Sequence, residues 1–217
     1  MAKLCIFDLD GTLTNTIPAI SHFGNTALSQ FGFPQIDPER YKLHVGNGRD
    51  LLVHRMLADF NADTPENFDK VGKAYDRAYE ANPLYGTKPY DGIPELLKLL
   101  KENKIKTAVL SNKPDNVVTD IVRLFFGDLF DIVHGQRAGI NTKPDPSAAL
   151  EIMNELGLSP DNTYFIGDTN VDIFTGKNGG MHTIGVLWGF RTKCELEDAG
   201  SEFIVSHPHE IGDIILK

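Results

Sequence analysis

Asp8 and Asp10 stand one residue apart behind a short apolar run, Leu4 to Phe7, and Gly11 and Thr12 follow them. An unpaired charge is costly to bury, so two acids at the tip of a buried strand serve a core poorly and a site well. Two further acids, Asp168 and Asp172, follow a second apolar run, Tyr164 to Ile166. Clustered carboxylates repel unless a cation joins them. Oxygen donors without His or Cys favour Mg²⁺, which keeps waters and often a substrate phosphate oxygen in its shell. A phosphate guest then needs its own partners. Lys143, next to Pro144, offers charge, Ser111 a hydroxyl, and Asn112 a backbone N–H at the expected start of a helix, where anions bind well. With a phosphate so placed, Asp8 can attack phosphorus and form an aspartyl-phosphate. Asp10 can protonate the leaving oxygen and later take a proton from the hydrolytic water. Mg²⁺ and Lys143 would offset the charge on the transferring group.

These residues need elements to carry them. From Thr16 to Phe31, apolar residues recur at helical spacing. Further helices are expected from Pro38 to Val45, around Leu51 to Phe60, and from Pro65 to Ala81. Gly46-Asn47-Gly48 breaks the second from the third. No strand is expected between Thr14 and Lys88. From Tyr90 onward, strands and helices alternate. Strands are expected at Lys106–Leu110, Ile132–Val133, Tyr164–Ile166, His182–Leu187 and Phe203–Val205. Helices are expected from Pro94, Pro114, Pro146, Asn170 and His209. This alternation implies an α/β fold with a mostly parallel sheet covered on both faces. Ligands in such sheets bind beyond the carboxyl ends of the strands. Asp8/Asp10, Ser111/Asn112 and Asp168 all fall where a strand ends. Asp168 and Asp172, four apart, can share one helix face.

Composition narrows the function classes. The chain has 217 residues, which suits one large domain or a core with a smaller companion. The net charge is −9 with no basic run, which argues against a nucleic-acid surface. The two cysteines, Cys5 and Cys194, exclude a disulfide framework, and no Cys/His cluster suggests zinc. No membrane span and no signal peptide are recognisable, so a cytoplasmic protein without a membrane partner is expected.

The motifs together resemble those of the haloacid dehalogenase-like superfamily. Asp8-Leu9-Asp10-Gly11-Thr12 is similar to its first motif, Leu110-Ser111-Asn112 to its second, Lys143-Pro144 to its third, and Gly167-Asp168-Thr169 with Asp172 to its fourth. The resemblance implies a Rossmann-like core, residues 1–13 and 89–217, and a small α-helical cap, residues 14–88, inserted after strand 1. It implies a Mg²⁺-dependent phosphatase with Asp8 as nucleophile, Asp10 as general acid/base, and Ser111 and Lys143 on the phosphoryl group. Asp8, the Asp10 carbonyl and Asp168 would bind the metal, with Asp172 supporting that shell. Thr12 joins the substrate-binding set by its place in the first motif.

Val45-Gly46-Asn47-Gly48 and Trp188-Gly189 resemble the phosphoglycolate phosphatase-like branch, so phosphoglycolate is an implied substrate. Asn15 departs from that branch, where many members carry an acid. Gly46, Asn47 and Arg49 are the cap candidates for substrate contact, and Arg191 is a further cation. The implied partner is a small phosphorylated metabolite, taken by a monomer or homodimer. Another phosphatase of the family, acting on nucleotides, pyrophosphate or sugar phosphates, is the alternative. A phosphosugar mutase is disfavoured because Ile20 stands where mutases carry His, ten residues past Asp10. A dehalogenase is disfavoured by the acid at Asp10. A non-catalytic phosphate binder would have no use for Asp10.

Overall fold

The computed structural model describes residues 3–82 and 84–217. Met1 and Ala2, counted above with the core, and Pro83, counted with the cap, lie outside the described residues. The chain divides into two compact units, Met1–Asn15 with Pro89–Lys217, and Thr16–Lys88. Strand β1 (Leu4–Phe7) opens the first unit, and the two-residue strand β2 (Thr14–Asn15) closes this first pass.

The second unit is helical. Helix α1 (Ile17–Ser29) carries Pro18 in its first turn, where a missing N–H costs nothing. Helix α2 (Pro38–His44) is capped by Asp37, whose carboxylate accepts the Glu39 N–H at 2.8 Å. Helix α3 (Arg49–Ala58) starts behind Gly48, and helix α4 (Pro65–Ala81) behind Thr64, whose hydroxyl accepts the Asn67 N–H at 3.2 Å. Helix α1 packs against α2 and α4, and α3 against α4. Gly24 allows the α1–α2 approach, since a Cβ there would lie 2.4 Å from the Tyr41 hydroxyl. Phe31 does not extend the buried face of α1 as its spacing suggests. The helix ends at Ser29, and Phe31 turns out to be 37% exposed with the Lys70 ammonium over its ring.

The chain re-enters the first unit through strand β3 (Lys88–Pro89), and helix α5 (Ile93–Glu102) follows. Strands β2 and β3 correct the expectation of no strand from 14 to 88; two residues are too few to show a period. Next come β4 (Lys106–Pro114), α6 (Asp115–Phe126), β5 (Ile132–Gln136) and α7 (Ser147–Glu155). Then follow β6 (Thr163–Gly167), α8 (Asn170–Asn178), β7 (His182–Val186), α9 (Lys193–Asp198), β8 (Phe203–Val205) and α10 (Pro208–Ile215). The six-stranded sheet runs β5-β4-β1-β6-β7-β8, with every described pair parallel. Strand β1 lies between β4 and β6, fully buried, where the order of the chain across the sheet changes direction. That is where such sheets bind ligands. Leu4, Ile6, Ala108, Leu110, Ile132 and Phe165 form one core with Ile152 and Met153 of α7. Among the described residues no helix is long and apolar enough to cross a membrane.

Candidate active site

Register aligns the strand ends. Phe7 is opposite Val109 of β4 and Ile166 of β6, so Asp8 and Asp168, just past the ends of β1 and β6, emerge beside Ser111, which still lies within β4. The Asp8 N–H donates to the Ile166 carbonyl at 2.9 Å, which fixes the backbone at the tip of β1. The Asp8 side chain is buried and accepts the Lys143 ammonium at 2.7 Å on Oδ1. Lys143 reaches Asp172 Oδ1 at the same distance, and Phe165 lies under its ammonium. Lys143 arrives on a loop that Asn112 clasps. Asn112 Oδ1 accepts the Lys143 N–H at 2.8 Å, and Nδ2 donates to its carbonyl at 3.1 Å. Asn112 itself lies inside β4, three residues ahead of α6. The expected helix-start N–H is therefore replaced by a side chain that seats the lysine loop.

Asp168 has no exposed surface, and its two oxygens are held from both sides. Thr12 Oγ1 donates to Oδ1 at 3.2 Å and the Phe190 N–H to Oδ2 at 2.7 Å. Two glycines make room for it. A Cβ on Gly11, whose φ is +94°, would meet Oδ2 at 2.3 Å, and one on Gly189 would meet the Asp168 Cβ at 2.3 Å. Thr12, expected to touch substrate, is wholly buried and spends its hydroxyl on Asp168 instead. The Trp188 indole N–H donates to the Thr12 carbonyl at 3.0 Å. Asp168 and Asp172 do not meet through one helix face as expected, since Asp168 precedes α8. Asp172 Oδ2 accepts the Thr169 N–H at 3.1 Å and its hydroxyl at 2.8 Å. With Oδ1 on Lys143, both of its oxygens have protein partners. One carboxylate oxygen each from Asp8, Asp168 and Asp172 lies within 4.8 Å of the others.

Asp10 follows in a tight loop, where the Gly11 N–H donates to the Thr14 carbonyl at 2.9 Å. Its carboxylate faces the Lys113 ammonium, 3.1 Å and 2.9 Å from the two oxygens. Ser111 is buried, and its Oγ accepts the Lys113 N–H at 3.3 Å. The geometry thus joins Asp8, Asp10, Thr12, Ser111, Asn112, Lys143, Asp168 and Asp172 in one unit.

The profile of the haloacid dehalogenase-like hydrolases matches residues 5–186. The chain belongs to the haloacid dehalogenase-like hydrolase family. It is 32% identical over 213 residues to the phosphoglycolate phosphatase of Aquifex aeolicus, covering 96% of this hydrolase and 94% of the relative. It is 30% identical over 215 residues to the N-acetylmuramic acid 6-phosphate phosphatase of Pseudomonas aeruginosa, covering 98% and 94%. The crystal structure of a candidate phosphoglycolate phosphatase from Lactobacillus delbrueckii subsp. bulgaricus superposes with a TM-score of 0.95, at 31% identity over 98% of both chains.

The acids of this hydrolase are crowded. Burial, then the neighbouring carboxylates of Asp172 and Asp10, pushes the Asp8 carboxyl up to about 7, against the pull of Lys143. Burial, then Asp172 and Asp8, drives Asp168 well above its ordinary value, while the Phe190 N–H and Arg191 oppose the rise. Burial alone would lower Lys143, yet Asp172 and Asp8 hold it above its ordinary value. The all-oxygen set is short of positive charge, which is the condition a divalent cation relieves. A hard cation fits Asp8 and Asp168, each of which offers a carboxylate oxygen within 4.8 Å of the other and of Asp172.

Gly46, Asn47 and Arg49 belong to the helical unit. Asn47 Oδ1 accepts from Arg55 at 2.9 Å, and Arg55 also donates to the His44 carbonyl at 2.9 Å. Arg49, expected as a substrate cation, has its charge matched inside its own unit by Asp76 at 2.6 and 2.8 Å and Asp50 at 2.7 Å. Two residues of the sheet unit escaped sequence reasoning. Lys113 sits in the polar strand end beside Ser111 and Asn112, and that position was the only signal. The Tyr90 N–H donates to the Leu13 carbonyl at 3.1 Å, next to Thr12, and burial, then the Asp168 and Asp10 carboxylates, push its phenol up.

Proposed function

We propose that this hydrolase is a cytoplasmic phosphatase that releases phosphate from a small phosphorylated metabolite, with phosphoglycolate as the first candidate. The observation that carries the reading is Asp8, fixed at the tip of β1 with Lys143 on one oxygen and the acids of Asp168 and Asp172 within 4.8 Å. Mg²⁺ is the proposed cofactor, held by Asp8, the Asp10 carbonyl and Asp168; when bound it supplies positive charge to the phosphoryl oxygens.

The remaining chemistry belongs to the chain. An Asp8 carboxylate oxygen attacks phosphorus, a P–O bond to Asp8 forms, and the bond to the leaving oxygen breaks. Asp10 gives that oxygen its proton. Water then attacks the aspartyl-phosphate, Asp10 takes the water's proton, and Asp8 and inorganic phosphate separate. Lys143 and the Ser111 hydroxyl steady the transferring group. Residues 14–88 are proposed as the substrate-selecting cap of residues 1–13 and 89–217. Gly46, Asn47 and Arg49 are its candidate contacts, and the assembly is a monomer or homodimer. Support comes from relatives at 30–32% identity that span nearly the whole chain and are named phosphatases.

Purified protein with Mg²⁺ is to be assayed for phosphate release from phosphoglycolate, sugar phosphates, N-acetylmuramic acid 6-phosphate, nucleotides and pyrophosphate. Turnover should exceed that of Asp8→Asn on at least one. Equal release by the two proteins across the panel would reject the reading, and sugar-phosphate isomer exchange without net release would point to a mutase.

A further inference from the structure

We propose that Lys113 is a positioning residue for Asp10, aiming the carboxylate that exchanges protons in both halves of the reaction; this rests on the phosphatase reading. Asp10 stands beyond the end of β1, in a loop, with a side chain that β1 packing does not fix. It must meet first a leaving oxygen and then a water in the same place. Lys143 cannot orient it, since that ammonium is spent on Asp8 and Asp172. Among the described residues, the ammonium found on Asp10 is that of Lys113, 2.9 and 3.1 Å from the two carboxylate oxygens. A charge-assisted contact to both oxygens holds the carboxylate in its place. Side-chain exposure is 8% for Lys113 and 18% for Asp10, so solvent and salt screen the pair weakly.

The lysine is itself aimed by the fold. Pairing of β4 with β5 shifts register between Leu110 and Pro114, an irregularity that spans Ser111 to Lys113. Such bulges turn a side chain away from the direction regular alternation would give it. The Lys113 backbone is then fixed on two sides. Ser111 Oγ accepts its N–H, and Gly135 of β5 lies so close that a Cβ there would meet the Lys113 carbonyl at 2.6 Å and the Asp115 Cα at 2.5 Å. Asp115 closes this contact by accepting the Gly135 N–H at 2.7 Å. A lysine at an ordinary strand end needs none of this.

The test combines kinetics with a direct view of the carboxylate. Lys113→Met and Lys113→Arg are made alone and on Asp10→Asn. Lys113→Met should lower kcat by about 10²-fold, the usual scale for a misplaced catalytic group, with KM little changed. Lys113→Arg should recover most of the loss. On Asp10→Asn, Lys113→Met should cost nothing further, because a residue that acts through Asp10 has nothing left to position. The Asp10 carboxyl carbon resonance, identified by its loss in Asp10→Asn, should shift or broaden in Lys113→Met and return in Lys113→Arg. Full additivity of the two losses, a wild-type kcat in Lys113→Met, or an unmoved Asp10 resonance would overturn the proposal. If the wild type turns over no phosphoester, the phosphatase reading fails, and the carboxyl spectrum still decides the positioning. Should the Met variant not fold, Lys113→Gln, which keeps a donor but no charge, takes its place under the same criteria.

Discussion

At the scale of single residues, Lys143 has two structural debts and one chemical one. Its single charge is shared by Asp8 and Asp172 at 2.7 Å each, with 3% of its side chain exposed. Removing one partner of a buried ion pair leaves the other charge uncompensated, at about 3–5 kcal/mol. Lys143→Met should therefore lower unfolding free energy by about that amount in urea titration. It should also cut turnover by about 10²–10³-fold, since a donor aimed at developing charge is lost. A variant with normal stability but lost turnover would assign Lys143 to chemistry alone. The sequence showed Lys143 as a lysine before a proline, and the need of an acidic cluster for a counter-charge drew attention to it. Its clasp by Asn112 was not legible, because 31 residues separate the two and no local pattern links them. Lys113 was hidden for the same reason, 103 residues from Asp10.

At the scale of elements, the short helices α2 and α3 of the inserted unit are joined by a polar cluster around the buried His44. His44 closes α2, and its Nε2 lies 3.3 Å from Asp59, just past α3, which also binds Arg40. Burial lowers the His44 ring below its ordinary value; Asp59 opposes this, and Arg40 and Arg55 reinforce it. The sign follows from proton uptake. A folded value below the unfolded one means that the unfolded chain binds the proton first, so stability is full above the ordinary imidazole value of about 6.5 and declines as pH falls through it. Scanning calorimetry from pH 7.5 to 5.5 should show the wild type losing more of its transition temperature than His44→Gln; equal losses would remove His44 from the account. The long elements were legible because their apolar residues repeat over several turns or fill a strand bounded by polar residues. Helix α4 is found where its pattern puts it, Pro65–Ala81. Helix α9 was missed, because Leu196 is its one buried residue and gives no period. Strand β4 runs on through Ser111–Pro114, where polar residues needed at the site mask the strand pattern.

At the scale of the molecule, the site is gathered from positions 8 to 172 by one rule: parallel strands deliver their ends to one edge. That is why motif order alone exposed most of it, and why the helical unit, which carries no such rule, yielded only Gly46, Asn47 and Arg49 as candidates. One feature of this gathering is optical. The chain has a single tryptophan, and the Trp188 indole is bonded to the Thr12 carbonyl, while the Thr12 hydroxyl is bonded to Asp168. Its fluorescence thus comes from one place, two hydrogen bonds from a proposed metal ligand. Titration with Mg²⁺ should change the emission in a saturable way that Asp168→Asn abolishes, and a flat response in the wild type would disconnect the indole from the acid. The protein carries its own lamp beside the proposed metal site, so occupancy can be read without a label and without any substrate having been identified.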